Sequence, residues 1–451
     1  MRNYPLSISE VEIIENTKEY VLIPWTSQSR MKPEVILDAE GPWLIDGKGC
    51  RILDFSSQLV YSLLGHKHPR VISAITAELN KAFDISPRFA NDARSELAKE
   101  LASITPRNLK KTLFTLGGSE ANENALKIAR LYTGKHKVIT RFRSYHGATY
   151  GAMSLGGDNR RWPFEPGDVP GVVRVFDPYC YRCSFNKAPE NCSLECVSHI
   201  EEIILYEGPD NFAAFFIEPI VGSSCCLVPP KGYMEGIRKL CDRYRILLIV
   251  DEIMTGFGRT GEWFAIDHWK DVRPDMLTFA KGVSAGYIPL GGVIVSEEIA
   301  DFFSDEILWC GLTLSGHPLS CTAALATIEV LKEENLVERS KKLGYQLKTE
   351  LEKLQEKHQC VGEIRGTGLF HALELVTNKE TREPFIPWNS KDTGMTSSYI
   401  KDLLWKRGLS TFFRWNLLFA APPLNIPTKD LMQGISIIDE TLTDLDQIIR
   451  K

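Results

Sequence analysis

A chain of 451 residues, 43% hydrophobic and 25% charged, has globular proportions and the length for two or three domains of ~150 residues each. Its formal net charge of −5, from 53 basic and 58 acidic residues, carries no basic stripe with interleaved aromatics; this excludes the footprint of a nucleic-acid binder and points to small-molecule partners. No run approaches the ~18 to 20 apolar residues of a membrane span, and the N-terminus MRNYPLSISEVEIIENTKEY lacks a signal-peptide core, so no membrane partner and a cytoplasmic location are expected.

In chain order, short apolar runs alternate with helix-period segments, the signature of a parallel sheet covered by helices. Strands are expected at KTLFTL (111–116), KVITRF (137–142), AAFFIE (213–218), ILLIVD (246–251), MLTFAK (276–281) and LGGVIVS (290–296). Helices are expected at SEANENALKIARLYTG (119–134) and GYMEGIRKLCDRY (232–244), where apolar residues recur three and four apart. From about residue 320 the texture changes to long charged helices, then the short strands of VGEIRGTGLFHALEL and a last helix after PPLNIPTKDL. This predicts a doubly wound α/β domain at 55–320 and a smaller α+β domain at 321–451, joined by an N-terminal segment at 1–54.

Ligands of open α/β sheets sit beyond the carboxyl ends of the strands, and three predicted strands end there in ionisable residues, Glu218, Asp251 and Lys281. Three buried charges at one sheet edge are costly unless they serve a ligand or one another, so a structural Asp251–Lys281 ion pair is the plain alternative. At the same edge, TLGGSEANENALKIAR reads as strand, Gly117-Gly118-Ser119, then helix, which aims free backbone N–H groups and a positive helix end at one point. It is an anion cradle without the lysine of a Walker loop, and no GxGxxG is present. A phosphate cradle, a carboxylate and a lysine together match the phosphate, ring nitrogen and aldehyde of pyridoxal phosphate. Lys281 would bond the aldehyde as a Schiff base, Asp251 would keep the ring nitrogen protonated, and Tyr145 and Ile253 would cover the two ring faces.

These residues carry a resemblance. From LDFSSQLVYSLLGHKHPRVISAI through GGSEANENALKIAR, SYHGATYGA, IEPIVG, LLIVDEIMTGFGRTG, TFAKGVSAGYIPLGG and LTLSGHPLSCTAALATIEV to EIRGTGLFHALEL, the sequence resembles the class III pyridoxal-phosphate aminotransferases of fold type I. That resemblance implies a mostly parallel central sheet in a large domain, a smaller α+β domain, and a homodimer or dimer of dimers. It implies Lys281 as the aldimine lysine and proton carrier, Asp251 at the ring nitrogen, Gly118 and Ser119 at the phosphate, Tyr145 on the ring and Glu218 nearby. It also implies that Thr313 reaches the phosphate of the neighbouring subunit, although Leu314 stands where the family usually has tyrosine. His146 is either near the ring or satisfied by backbone. RRWPFEPG, DPYCYRCSF and FFRWNLLFAAPPL are most similar to taurine:pyruvate and ω-amino acid:pyruvate aminotransferases, which implies an amino donor of taurine or β-alanine type and pyruvate as acceptor.

Other residues keep two readings. Trp25, Tyr61, Phe89 and Trp415 either wall the substrate pocket or belong to the core. Arg414 is the candidate for the substrate's anionic end, because a planar guanidinium binds carboxylate or sulfonate through two hydrogen bonds; the alternative is a surface arginine. Seven of the eleven cysteines are scattered as small core residues, while Cys180, Cys183, Cys192 and Cys196 form a C-x2-C, C-x3-C cluster open to structural zinc, disulfides or plain thiols. Beside an aminotransferase stand an aminomutase, racemase or decarboxylase on the same fold, and a non-catalytic metal-binding protein.

Overall fold

The computed structural model describes residues 8–81, 84–223, 226–388 and 395–449. Its centre is a seven-stranded sheet in the spatial order Leu109–Thr115, Gly291–Ser296, Met276–Phe279, Leu247–Asp251, Phe212–Ile217, Lys137–Arg141, Val172–Val175. The last five run parallel, and Gly291–Ser296 is antiparallel to both its neighbours. All six residues of Phe212–Ile217 are buried, and this unbroken run FAAFFI is what a strand reads like when helices cover both sheet faces. The expected strands are present with ends moved by one or two residues. Val172–Val175, at the sheet edge, is the strand the sequence pattern did not reveal: its four residues between turn segments are too short for a periodicity signal.

Helix Gly118–Thr133 leaves the sheet at its carboxyl edge and stops at Gly134, whose φ of 68° supplies the left-handed cap. The antiparallel course of Gly291–Ser296 brings Gly291 against Gly117, so close that an added Cβ would lie 2.8 Å from the Gly117 carbonyl oxygen. The turn that begins the helix is therefore pressed between two strands.

A four-stranded sheet joins three early strands, Ile36–Glu40, Trp43–Asp46 and Arg51–Asp54, to Leu409–Ser410, which pairs parallel with Arg51–Asp54. A five-stranded sheet built on Val361–Thr367, Phe370–Asn378 and Leu417–Ala420 follows the long helices Pro318–Glu333 and Leu336–Lys357, and helix Thr428–Ile449 ends the described chain. This is the fold type I arrangement, a mostly parallel α/β sheet with smaller α+β sheets beside it. No helix among the described residues is long and apolar enough to cross a membrane.

Candidate active site

Five segments at the carboxyl edge of the large sheet, with the segment of Tyr61, enclose a cavity of about 350 Å³ whose lining includes Tyr61, Gly118, Ser119, Tyr145, His146, Glu218, Asp251, Ile253 and Lys281. Nine sequence-selected residues thus meet in one place. Asp251 ends its strand only 3% exposed. Its Oδ2 accepts hydrogen bonds from Asn122 Nδ2 and His146 Nδ1, each at 2.8 Å, and its Oδ1 accepts from the Ile253 N–H at 3.0 Å. Asn122 in turn accepts from Thr278 Oγ1 at 2.8 Å and donates to the His146 carbonyl oxygen at 2.6 Å. The carboxylate is held by Asn122, His146 and the Ile253 N–H, with no lysine or arginine paired to it among the described residues.

Lys281 lies two residues beyond strand Met276–Phe279 with φ +48°, a left-handed conformation that costs a non-glycine residue about 1 kcal/mol or more. The tight turn Lys281–Ser284 turns the lysine back over the strand ends. No ion pair or side-chain hydrogen bond of Lys281 exists among the described residues, so the structural Asp251–Lys281 pair is absent. Burial pushes its ammonium down to about 8, opposed by Asp251 and Glu218 and assisted by Arg160. An amine so placed loses its proton near neutrality.

Glu218 follows strand Phe212–Ile217 and spends its carboxylate on backbone: Oε1 accepts from the Tyr145 N–H at 3.0 Å and Oε2 from the Gly222 N–H at 2.8 Å. Burial pushes this carboxyl up, against the pull of His146. Its effect is to fix the backbone at Tyr145. The Tyr145 phenol is also pushed up by burial, with Arg160 opposing.

Glycines shape the cradle. A Cβ on Gly118 would lie 2.6 Å from Ile253 Cδ1, and one on Gly147 2.6 Å from Ser119 Oγ, so side chains are excluded where bare N–H groups face the cavity. Tyr61 lines the opposite side, its ring closing on Gly286.

Several expected residues lie elsewhere. Thr313 is exposed and does not line the cavity. Phe89 is exposed, and Trp415 is buried against Trp388 with ring centroids 4.0 Å apart, so Trp415 is core and not pocket wall. Trp25, 66% exposed, does not line the cavity and meets the site through Tyr145, edge-on at 6.2 Å, and through Arg160, 5.3 Å from its ring centroid. Arg414 is not a surface arginine: its Nη2 donates to the buried Asp158 Oδ2 at 3.3 Å, and its guanidinium lies 3.9 Å from the Trp415 ring centroid. Three neighbours went unassigned in the sequence. Asn122 sits one turn after Gly118 on the cradle helix, and its direction shows only once that helix is packed on the sheet. Arg160 places its guanidinium 3.6 Å from the Tyr145 ring centroid, and Asp158 binds Arg160; Arg160 opens RRWPFEPG and Asp158 stands two residues before it, with no local feature that reveals their direction.

Cys180, Cys183, Cys192 and Cys196 line a separate cavity of about 470 Å³. All four are free thiols, so the disulfide reading is absent, and no group of three or more His, Cys, Asp or Glu among the described residues is placed to hold a metal. Burial pushes the Cys196 thiol up to about 12.

The sequence of residues 26–442 matches the aminotransferase class-III family model. A solved structure of taurine:2-oxoglutarate aminotransferase from Bifidobacterium kashiwanohense, in complex with PLP and glutamate, is 41% identical and superposes with a TM-score of 0.94 over 98% of this chain and 99% of its own. A leucine/methionine racemase of Thermococcus litoralis is 33% identical over 97% of this chain and 96% of its own length. A taurine–pyruvate aminotransferase of Bilophila wadsworthia is 31% identical over 98% and 99%. The fold and the match define a pyridoxal-phosphate enzyme. This chain belongs to the class III aminotransferases, and its cofactor is pyridoxal phosphate.

The residues present fit that cofactor. The cavity has a side-chain-free helix N-terminus, a buried carboxylate and an unpaired lysine, and His146 Nε2 is buried without a partner among the described residues.

Proposed function

We propose that the enzyme moves an amino group from an ω-amino acid or related amine, of taurine or β-alanine type, to a keto acid. The reading is supported by one observation above others: Lys281, Asp251 and the Gly118–Ser119 turn face one cavity, each at a different wall. Gly118 and Ser119 N–H groups would take the phosphate, assisted by the positive helix end. Asp251 Oδ would hold the proton on the ring nitrogen, while Tyr145 and Ile253 cover the ring faces. The bound cofactor supplies an electron sink to the substrate's amino carbon. Lys281 Nζ, its ammonium pushed down to about 8 by burial, would take the proton from that carbon and hand it to the cofactor's aldehyde carbon, which is the transfer a ping-pong aminotransferase requires.

The anionic end of the donor falls to arginine. Arg160 and Arg414 share Asp158, and Arg160 is stacked on Tyr145, which ties the pair to the catalytic wall. Pyruvate is our proposed acceptor. A dicarboxylate such as 2-oxoglutarate is a second reading, favoured by two guanidiniums on the one Asp158 carboxylate, Arg160 against the cavity-lining Tyr145, and by the relative bound to PLP and glutamate. We also propose a cytoplasmic homodimer or dimer of dimers, with Thr313 acting on the neighbouring site, and domain limits at 54/55 and 320/321. A donor panel run with pyruvate and with 2-oxoglutarate tests the reaction. Keto or aldehyde product from taurine or β-alanine supports it; racemised amino acid without keto product would place the chain with its racemase relative.

A further inference from the structure

Asp158 is 3% exposed and carries more charge-assisted contacts than a loop residue needs. The Arg160 side chain grips it from the side, with Nε at 3.0 Å from Oδ1 and 2.9 Å from Oδ2, and with Nη2 also on Oδ2. The Arg160 N–H donates to Oδ1 at 3.0 Å, which locks the short turn, and Nη2 reaches Ser223 Oγ at 3.2 Å. Arg414 Nη2 arrives on Oδ2 at 3.3 Å from the other side. Burial would raise the Asp158 carboxyl, yet Arg160 and Arg414 outweigh it and hold the group below the ordinary range.

Arg160 and Arg414 thus meet on one buried carboxylate. The Arg160 guanidinium is fixed in place, 3.6 Å from the Tyr145 ring centroid and 5.3 Å from the Trp25 ring centroid. An arginine stem has many rotamers, and leaving it loose costs affinity each time an anion has to order it. Asp158 and Ser223 take the Nε and Nη2 donors, which leaves Nη1 as the guanidinium nitrogen without a hydrogen bond among the described residues.

We propose that Asp158 is the positioning residue for anion recognition, a buried carboxylate that fixes Arg160 over the Tyr145 ring so that its Nη1 donors meet the distal carboxylate or sulfonate of the amino donor. This rests on the reading that arginine takes the donor's anionic end. Asp158 touches no reacting atom. It acts through Arg160, with Arg414 as a second cation on the shared oxygen.

The substitution Asp158→Asn separates this role from a turn-forming one. Asparagine keeps the volume and an oxygen for the Arg160 N–H, but loses the charge that grips the guanidinium. The readout is a ratio of kcat/KM for β-alanine or taurine to kcat/KM for an uncharged aralkyl amine, measured on holoenzyme. In ping-pong kinetics neither value depends on the acceptor. Cofactor absorbance and Tm are followed as controls. Arg160→Ala should lower the ratio on the order of tenfold to a hundredfold, and Asp158→Asn on the order of tenfold. Placed in the Arg160→Ala background, Asp158→Asn should add little. If Arg160→Ala lowers the ratio and Asp158→Asn does not, the positioning role is overturned while the anion reading stands. If Arg160→Ala leaves the ratio unchanged, the proposal is overturned, and if Arg414→Ala leaves it unchanged as well, the anion reading itself falls. A full further loss in the double variant also overturns action through Arg160. Should Asp158→Asn fold poorly, Arg160→Lys tests the same geometry, since a lysine keeps the charge without the planar fork; an unchanged ratio in that variant contradicts the proposal.

Discussion

Asn122 and Asp251 are joined across the floor of the pocket by a hydrogen bond of 2.8 Å from amide Nδ2 to carboxylate Oδ2. The same amide binds the His146 carbonyl and the Thr278 hydroxyl, so one side chain from the cradle helix ties together three neighbouring segments. Replacing it by alanine strands buried polar groups, and Asn122→Ala should cost about 1–3 kcal/mol of stability, together with faster loss of cofactor on dilution. Denaturant midpoints and cofactor absorbance after gel filtration check this; unchanged values in both would show that Asp251 does not depend on Asn122.

Lys281 gives a pH signature. Its ammonium is held near 8 in the folded chain against an ordinary value of 10.5, with burial as the main cause. In cofactor-stripped protein, acylation of Lys281 by an amine reagent should therefore rise with pH around a midpoint of about 8. The sign for stability follows from linkage: between about 8 and 10.5 the unfolded chain binds more protons than the folded one, so stability rises with pH. This contribution is complete above about 10.5 and lost as pH falls through about 8. A labelling midpoint near 10.5 contradicts the desolvated pocket.

Thr313 stands exposed and away from the cavity of its own chain, which is the arrangement a residue acting on a neighbouring subunit requires. Chains carrying Lys281→Ala and chains carrying Thr313→Ala should regain activity when mixed, because one site in a hybrid dimer is free of both changes. No recovery on mixing, with exchange of chains verified, would argue for action within one chain.

Much of this site was legible because strand ends carry it. Asp251 and Lys281 each follow an apolar run that periodicity locates, and a glycine pair before a helix announces a cradle in one dimension. Asn122, Asp158 and Arg160 were not legible for the opposite reason. A polar residue on a helix or loop declares its direction only after packing decides which face is inside, as Asn122 shows by turning toward Asp251. Trp415 stood open between core and wall for the same reason: an aromatic in an apolar stretch is one or the other according to what it meets, and it meets Trp388 in the core. The antiparallel Gly291–Ser296 strand read as one more apolar run, since direction leaves no mark in composition.

The cysteine cluster gives a plain expectation. Four free thiols share a cavity without a metal-holding geometry, so protein purified without chelator should carry far less than one zinc per chain. Cys196, with its thiol pushed up to about 12, should alkylate slowly at neutral pH. One zinc per chain, with Cys180, Cys183, Cys192 and Cys196 protected together, would contradict this.

The central claim is that Lys281 is the lysine on which the cofactor and the amino transfer depend. Borohydride reduction of the holoenzyme fixes the cofactor to the amine that carries it, and peptide mapping reads the position. The label is expected on Lys281 alone, at one per chain, with Lys281→Ala neither labelled nor able to release keto product from any donor. A label on another lysine, or keto product released at the normal rate by Lys281→Ala, contradicts it.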